Sequence, residues 1–167
     1  MEYPVRRKDR ESSREEALAA LDRAPYGVLS AAGPGGIPYG VPLSLAREGE
    51  WLYFHCAREG RKLDCLRARR EVSLVFVGTV EALDDHFSVV YDSAVVRGSA
   101  EEVTREEERV HGLRLICRRF TPGHMDAFDG EIARSLRVVS VWKIHIDGIT
   151  GKRRKPPGGQ ETIPKAD

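Results

Sequence analysis

The apolar residues of this chain recur mainly with the two-residue period of β-strands, in segments separated by glycine and proline. These segments cover residues 26–31, 37–46, 51–56, 72–77, 87–103 and 137–147. The glycine-rich turn at 33–36 predicts a hairpin between the first two strands, and the third strand extends it to an antiparallel meander. Six such strands predict a mainly β protein built on a six-stranded antiparallel barrel.

Helix signals occur at the margins of these strands. Residues 13–23 begin with a serine followed three positions later by glutamate, which is the capping-box pattern, and residues 104–120 begin with the threonine version of it. Gly98 lies inside the longest strand segment and predicts a bulge there. Residues 121–130 carry three turn-forming residues and predict a loop with a short helical turn.

Length and charge limit the organisation of the chain and its partners. The 167 residues suit one domain, predicted over 1–151 with an N-terminal arm, followed by a polar, basic tail over 152–167. The net charge of +1 argues against a dedicated binder of nucleic acid or membrane surfaces. No apolar run reaches the length of a membrane span. We therefore expect a small molecule or a second copy of the chain as partner.

The cysteine and histidine positions argue against a disulfide framework and a metal site. Cys56, Cys65 and Cys117 are odd in number and have no CxxC spacing, which favours a cytoplasmic location. His145 and Asp147 share one face of a predicted strand, but the spacing nominates no third ligand, so we predict no metal.

One stretch, Trp51–Leu66, combines an aromatic strand with a helix that follows it directly. Arg61 and Lys62 lie in the first turn of this helix. Unpaired N–H groups and the positive end of the helix dipole attract anions there, so the pattern predicts a phosphate site. The alternative is that both cations are merely solvated. The chain has no GxGxxG motif, and the glycines near Lys152 lack the spacing of a P-loop.

The ordered set of motifs resembles the FMN-binding split-barrel superfamily that includes pyridoxamine-phosphate oxidase, and within it the nitroimidazole-resistance branch. The residues that carry this resemblance run from the arm to the tail: Arg6–Glu11, Tyr39, Val41–Leu43, Leu52–His55, Glu59–Asp64, Val95–Ala100 and Ile149–Lys152. The segment YFH followed by EGRK is the most specific of them.

The resemblance implies FMN as the cofactor and a place for each part of it. Arg61 and Lys62 would hold the phosphate. The isoalloxazine ring would be supported by backbone groups of Val41, Pro42, Leu43 and Ser44 and lined by His55, Cys56 and Ala57. The superfamily binds its flavin at a dimer interface, so Tyr91 and Ser93 would reach the cofactor of the other subunit of a homodimer. Lys152 could close over the phosphate or a ring carbonyl, and the alternative is that it is a solvated lysine of the tail.

The implied function is electron transfer from a reduced nicotinamide to a small organic acceptor such as a nitroaromatic or a quinone. His55 could donate a proton to the acceptor, because its ordinary pKa near 6.5 suits proton transfer. The alternative for His55 is a half-buried, purely structural histidine. Two other functions stay open: a flavin-binding or sensing module without turnover, and a haem-binding split barrel. The active-site pattern of pyridoxamine-phosphate oxidase itself is absent, so vitamin B6 oxidation is not expected.

Overall fold

The alternation of apolar and polar residues produces eight strands and four α-helices in the computed structural model, which describes residues 4–83 and 87–156. The strands are β1 Glu11–Ser12, β2 Gly27–Ala32, β3 Pro38–Leu43, β4 Ala46–Glu48, β5 Trp51–Ala57, β6 Glu71–Leu83, β7 Ser88–Glu102 and β8 Val139–Arg154. The helices are α1 Arg14–Arg23, α2 Arg61–Ala68, α3 Glu106–Phe120 and α4 Phe128–Ser135. None of these helices is long and apolar enough to cross a membrane.

All described strands belong to one antiparallel sheet in the order β3-β2-β6-β7-β8-β5-β4, with β1 added to β8. The predicted fold class, a mainly antiparallel sheet with flanking helices, is confirmed. The sheet has eight strands rather than six because the very short β1 and β4 were not expected. Among the described residues β3 and β4, and the short β1, pair on one side only, so β3 and β4 are open edges at the two ends of the strand order.

Two apolar clusters hold the helices to the sheet. In the larger cluster, α1 and α2 pack against the inner face of the sheet through fully buried side chains that include Leu21, Phe54, Leu63 and Phe76. In the smaller cluster, α3 and α4 cover the opposite face of β5 and β8. Strand β5 is therefore buried on both faces over Leu52–Phe54, and its last residues, which still pair with β8, lead into α2.

The predicted meander is wrong. The chain leaves β3 after Leu43, and the short β4 pairs with β5, while the other edge of β5 pairs with β8. This long-range pairing places Phe54 opposite Trp142 and Leu52 opposite Ile144. All four side chains are buried, and their burial favours a pairing that local sequence patterns do not reveal.

The margins of the second half also differ from the prediction. Helix α3 begins at Glu106 without a side-chain cap, so the capping box predicted at Thr104 is wrong. The reason is that Val103 still donates its N–H to Val141 O at 2.9 Å, which keeps the chain extended up to Arg105. A 3₁₀ helix over Pro122–Ala127 confirms the short helical turn predicted within 121–130, and α4, which was not predicted, follows it directly. The predicted bulge is confirmed by the register shift between Arg97 and Gly98.

Strand β8 continues to Arg154 and therefore includes the first residues of the segment predicted as a tail. Lys152 pairs with Glu11 of β1 on one side and with Ser93 of β7 on the other. The remainder of the predicted tail, 157–167, lies outside the described residues.

Candidate functional site

The N-terminus of α2 is open to solvent and lined by cations. Gly60 precedes the helix with φ 122° and offers no side-chain cap, and a Cβ at this position would meet nothing within 4 Å. Leu63 N and Asp64 N both donate to Gly60 O. The N–H groups of Arg61 and Lys62, at the first two helical positions, have no intrahelical acceptor. This end of α2 can therefore donate hydrogen bonds to an anion.

The Arg61 side chain extends from the helix towards β3. Its guanidinium carbon lies 4.9 Å from the centre of the Tyr39 ring, and its Nη2 lies 3.5 Å from Pro38 O, at the outer limit of hydrogen bonding. The residue is exposed to solvent, whereas Tyr39 is half-buried. Arg61 is thus directed towards one side of the helix end while its charge remains accessible.

The second cation, Lys62, lies closer to the barrel core. Its Nζ is 5.6 Å from the centre of the Phe54 ring, which is fully buried on the inner face of β5. Lys62 itself is half-buried. Both cations of the predicted phosphate site therefore lie over aromatic rings, one from β3 and one from β5.

Strand β3 presents an open edge beside this helix end. Gly33 N donates to Ile37 O at 2.8 Å, which fixes the hydrogen-bonding phase of the β2–β3 ladder. In that phase the backbone groups of Tyr39, Val41 and Leu43 face β2, and those of Pro38, Gly40 and Pro42 face the open edge. Since proline has no N–H, Gly40 supplies the one N–H donor that β3 directs outward.

The predicted backbone support from β3 is therefore divided between two edges of the strand. Val41 and Leu43 use their N–H groups within the sheet, so they have none left for a ligand at the open edge. Pro42 can offer only its carbonyl there. Ser44 follows the strand and is exposed. The edge can accept hydrogen bonds at several carbonyls but can donate few.

The side chains of the residues predicted to support or line the ring point to different faces. Val41, Leu43 and Cys56 pack in or against the core, whereas Pro42, Ser44, His55 and Ala57 are exposed. The alternation of side chains along β3 and β5 produces this division. The exposed set, together with Arg61 and the half-buried Lys62, is the part that can contact a ligand directly.

Two titratable groups near the end of β5, His55 and Cys56, both favour their neutral forms. Although His55 as a residue is exposed, the protein around its imidazole lowers the pKa, first by desolvation and second by the charge of Lys62. Burial raises the pKa of the Cys56 thiol, against the opposing effect of Lys62. At neutral pH the site therefore offers a neutral imidazole and a protonated thiol.

Tyr91, Ser93 and Lys152 lie together at a different place. Ser93 pairs with Lys152 on β8, and its hydroxyl lies 3.4 Å from Lys152 O. His55 pairs with Val141 near the other end of the same strand. The eleven positions between Val141 and Lys152 correspond to about 36 Å along β8. Within one chain, the two groups of predicted site residues therefore lie far apart.

Ser93 adjoins an exposed apolar surface on the outer face of the sheet. It pairs with Val77, and Val75 pairs with Val28 on one side and Val95 on the other. Val75, Val77 and Val95 are 37%, 45% and 44% exposed. Three neighbouring valines exposed to this degree on adjacent strands form an apolar surface that a partner could cover.

Tyr39 is a site residue that sequence reasoning did not identify as such. It was part of the motif set, but its contact with Arg61 joins two elements that are not neighbours in sequence. An aromatic residue on a strand gives no indication of which side chain it will contact. Within residues 4–83 and 87–156, no three His, Cys, Asp or Glu side chains cluster as metal ligands would.

Comparisons with known proteins agree with this architecture. A family model described as pyridoxamine 5'-phosphate oxidase matches residues 13–153. Among solved structures, a candidate 5-nitroimidazole antibiotic resistance protein from Bacteroides thetaiotaomicron is 28% identical with a TM-score of 0.73, covering 85% of this chain and 84% of its own. A search of curated proteins found no match.

Two further solved structures share the fold at lower identity. The flavocytochrome Anf3 from Azotobacter vinelandii is 23% identical with a TM-score of 0.77, covering 93% of this chain and 74% of its own. The FAD and haem binding protein from Mycobacterium smegmatis is also 23% identical, with a TM-score of 0.70 and coverage of 88% and 74%. With a family model that matches most of its length, the chain belongs to the pyridoxamine 5'-phosphate oxidase family of split barrels.

Proposed function

We propose that this protein binds FMN and passes electrons from a reduced nicotinamide to a small organic acceptor such as a nitroaromatic or a quinone. The observation that carries the proposal is the open N-terminus of α2, where Arg61 reaches the free edge of β3 and Lys62 lies over Phe54 of β5. Similarity to proteins described as a flavocytochrome and as binding FAD and haem supports flavin as the ligand class.

The residues present fit a phosphate-bearing cofactor. Two N–H groups without intrahelical acceptors, two cations and a glycine with open space before the helix suit a phosphate group. The open edge of β3 offers outward carbonyls and the Gly40 N–H for a heterocycle. When bound, FMN would supply the redox chemistry, and the protein would bind and orient it.

His55 is the residue we assign to the acceptor side. It is exposed on β5, three positions before the bend at 58–60 that leads into α2. An acceptor placed against the cofactor could therefore contact it. Its lowered pKa keeps the imidazole neutral at pH 7, where it can donate one hydrogen bond. Full proton donation by an imidazolium would require a lower pH.

We also propose a two-fold homodimer in which each subunit completes the site of the other. The exposed valines of β6 and β7 support this, since an isologous contact would cover them and bring the neighbouring Ser93 to the partner. Tyr91 and Lys152 would approach the partner's cofactor on the same surface.

The cytoplasmic location remains a prediction from the cysteine pattern.

A haem-binding function is the second candidate, and the neutral, exposed His55 favours it. Haem iron binds a neutral imidazole, and an exposed histidine is free to reach it. The flavin-binding module without turnover is the third. The absorption spectrum of the purified protein separates flavin from haem, because a Soret band would replace the two flavin bands.

The reductase proposal is tested by anaerobic mixing of FMN-loaded protein with NADH or NADPH. Bleaching of the flavin, followed by reoxidation when a nitroaromatic or quinone is added, is the expected result. If no nicotinamide and no acceptor changes the spectrum of the FMN-saturated protein, the result would contradict turnover. It would favour the flavin-binding module instead.

A further inference from the structure

The contact between Arg61 and Tyr39 joins the two halves of the proposed cofactor site. Arg61 belongs to the phosphate end on α2, and Tyr39 belongs to β3, whose edge faces the proposed ring. The guanidinium lies 4.9 Å from the ring centre, within the distance at which a cation is attracted to an aromatic face.

We propose that Tyr39 is a positioning residue for the cofactor phosphate: its ring holds the Arg61 side chain at the helix end before the phosphate binds. This inference rests on the proposed FMN site and adds a role that acts through Arg61. It predicts that changing Tyr39 weakens binding of the cofactor phosphate and leaves binding of the flavin ring unchanged.

The physical reason is the conformational freedom of arginine. An exposed arginine side chain loses rotamer entropy when a ligand fixes it, and that loss weakens binding. The cation–π contact with Tyr39 and the weak contact with Pro38 O restrict Arg61 in advance. The planar guanidinium can stack on the ring through its face and still direct N–H groups at an anion through its edge.

Tyr39 is itself well fixed for this role. Its backbone pairs with Ala31 in the β2–β3 ladder, and its side chain is half-buried on the face of β3 that α2 contacts. The Pro38 carbonyl faces the open edge because of the ladder phase described above. Residues 38 and 39 therefore approach Arg61 from a rigid strand rather than from a loop.

The inference separates FMN from riboflavin, which has the same ring without the phosphate. We would measure the dissociation constants of both flavins for apoprotein of the wild type, Tyr39→Leu, Tyr39→Phe, Arg61→Ala and the double variant Tyr39→Leu/Arg61→Ala. Tyr39→Leu should weaken FMN roughly 3- to 30-fold, the range of a cation–π contact, and leave riboflavin unchanged. Tyr39→Phe should retain wild-type affinity for FMN, because phenylalanine keeps the aromatic face.

The double variant shows whether Tyr39 acts through Arg61. In the Arg61→Ala background, Tyr39→Leu should have no further effect on FMN. Equal weakening of FMN and riboflavin by Tyr39→Leu, or an undiminished effect without Arg61, would overturn the inference, since Tyr39 would then act on the ring or on the strand. Unchanged riboflavin affinity also shows that the variant is folded.

The same data distinguish this inference from the proposed function. If Arg61→Ala weakens FMN selectively but Tyr39→Leu does not, the phosphate site stands and the role of Tyr39 is wrong. If Arg61→Ala leaves the preference for FMN over riboflavin unchanged, or if neither flavin binds, the proposed site is wrong. The proposed role of Tyr39 is then wrong as well.

Discussion

Arg23 of α1 forms an ion pair with Asp92 of β7, and the carboxylate also accepts a hydrogen bond from Thr79 N at 2.6 Å. The Asp92 side chain is only 9% exposed. The β6–β7 register shifts between Val77 and Thr79, so this carboxylate joins the N-terminal helix to the irregular point of the longest hairpin. A Cβ added to Gly78 would lie 2.6 Å from Asp92 Oδ1, which accounts for glycine there.

Replacing Asp92 by Asn should lower the free energy of unfolding by about 2–4 kcal/mol, because it leaves the partly buried Arg23 charge without a counter-ion. Urea denaturation measures the change. The matched control is Asp9→Asn, which removes the partner of Arg7 in an exposed ion pair and should change stability little. Equal effects of the two variants would contradict the structural role of Asp92.

Arg119 connects α3 to the end of α1. It donates to the carbonyls of Leu21, Asp22 and Ala24, in the last turn of α1, at 2.7–3.2 Å, and to Leu45 O at 2.8 Å. Desolvation lowers the pKa of its guanidinium, but not enough to remove the charge. This half-buried cation lies within hydrogen-bond distance of four carbonyls at once and complements the helix dipole.

Arg119→Met should therefore destabilise the protein by about 2–4 kcal/mol, since it leaves these partly buried acceptors without a donor. Arg118→Met is the control, because Arg118 is the exposed neighbour on the same helix. Thermal unfolding of both variants gives the comparison. A loss no greater than that of the control would show that water replaces the guanidinium readily.

The exposed valines of β6 and β7 test the proposed assembly. Val75→Asp should convert a dimer to a monomer, because a charge in the centre of an apolar contact must be desolvated without a partner. Light scattering at micromolar concentration reports the mass. Val138→Asp changes an exposed valine outside this surface and should leave the dimer intact. A monomeric wild type with bound flavin would contradict the proposal.

The pKa of His55 gives a pH dependence. Because desolvation and Lys62 lower this pKa, the imidazolium fraction is small at pH 7 and grows as the pH falls below the ordinary value near 6.5. If His55 donates the proton, the rate of acceptor reduction should rise as the pH falls, and His55→Gln should remove that rise. Stopped-flow reoxidation measures it, with His124→Gln as control. The same profile in His55→Gln would exclude the acid role.

Local signals in the sequence were sufficient where one short segment determines the structure. The capping box of α1 forms as predicted, with Ser13 accepting from Glu16 N and Glu16 accepting from Ser13 N. The bulge at Gly98 also forms, where a Cβ would lie 2.4 Å from His145 O. The cations of EGRK occupy the start of α2 as the strand–helix pattern indicated.

Features that depend on distant residues could not be predicted in this way. The pairing of β5 with β8 is stabilised by buried partners some 90 positions apart, such as Phe54 and Trp142. Which N–H groups β3 leaves free depends on the phase of its ladder with β2, and a shift of one position would exchange them. The contact of Arg61 with Tyr39 exists only because α2 folds back onto β3.

The central claim is that Arg61 and Lys62 bind the phosphate of FMN, and titration of apoprotein with FMN tests it most directly. The wild type should bind one FMN per subunit, and Arg61→Ala/Lys62→Ala should weaken binding at least about 100-fold, since two charge-assisted contacts are lost. The matched control Arg69→Ala/Arg70→Ala removes two exposed cations beyond the other end of α2 and should bind FMN as the wild type does. Equal FMN affinity in the wild type and the Arg61→Ala/Lys62→Ala variant would contradict the account.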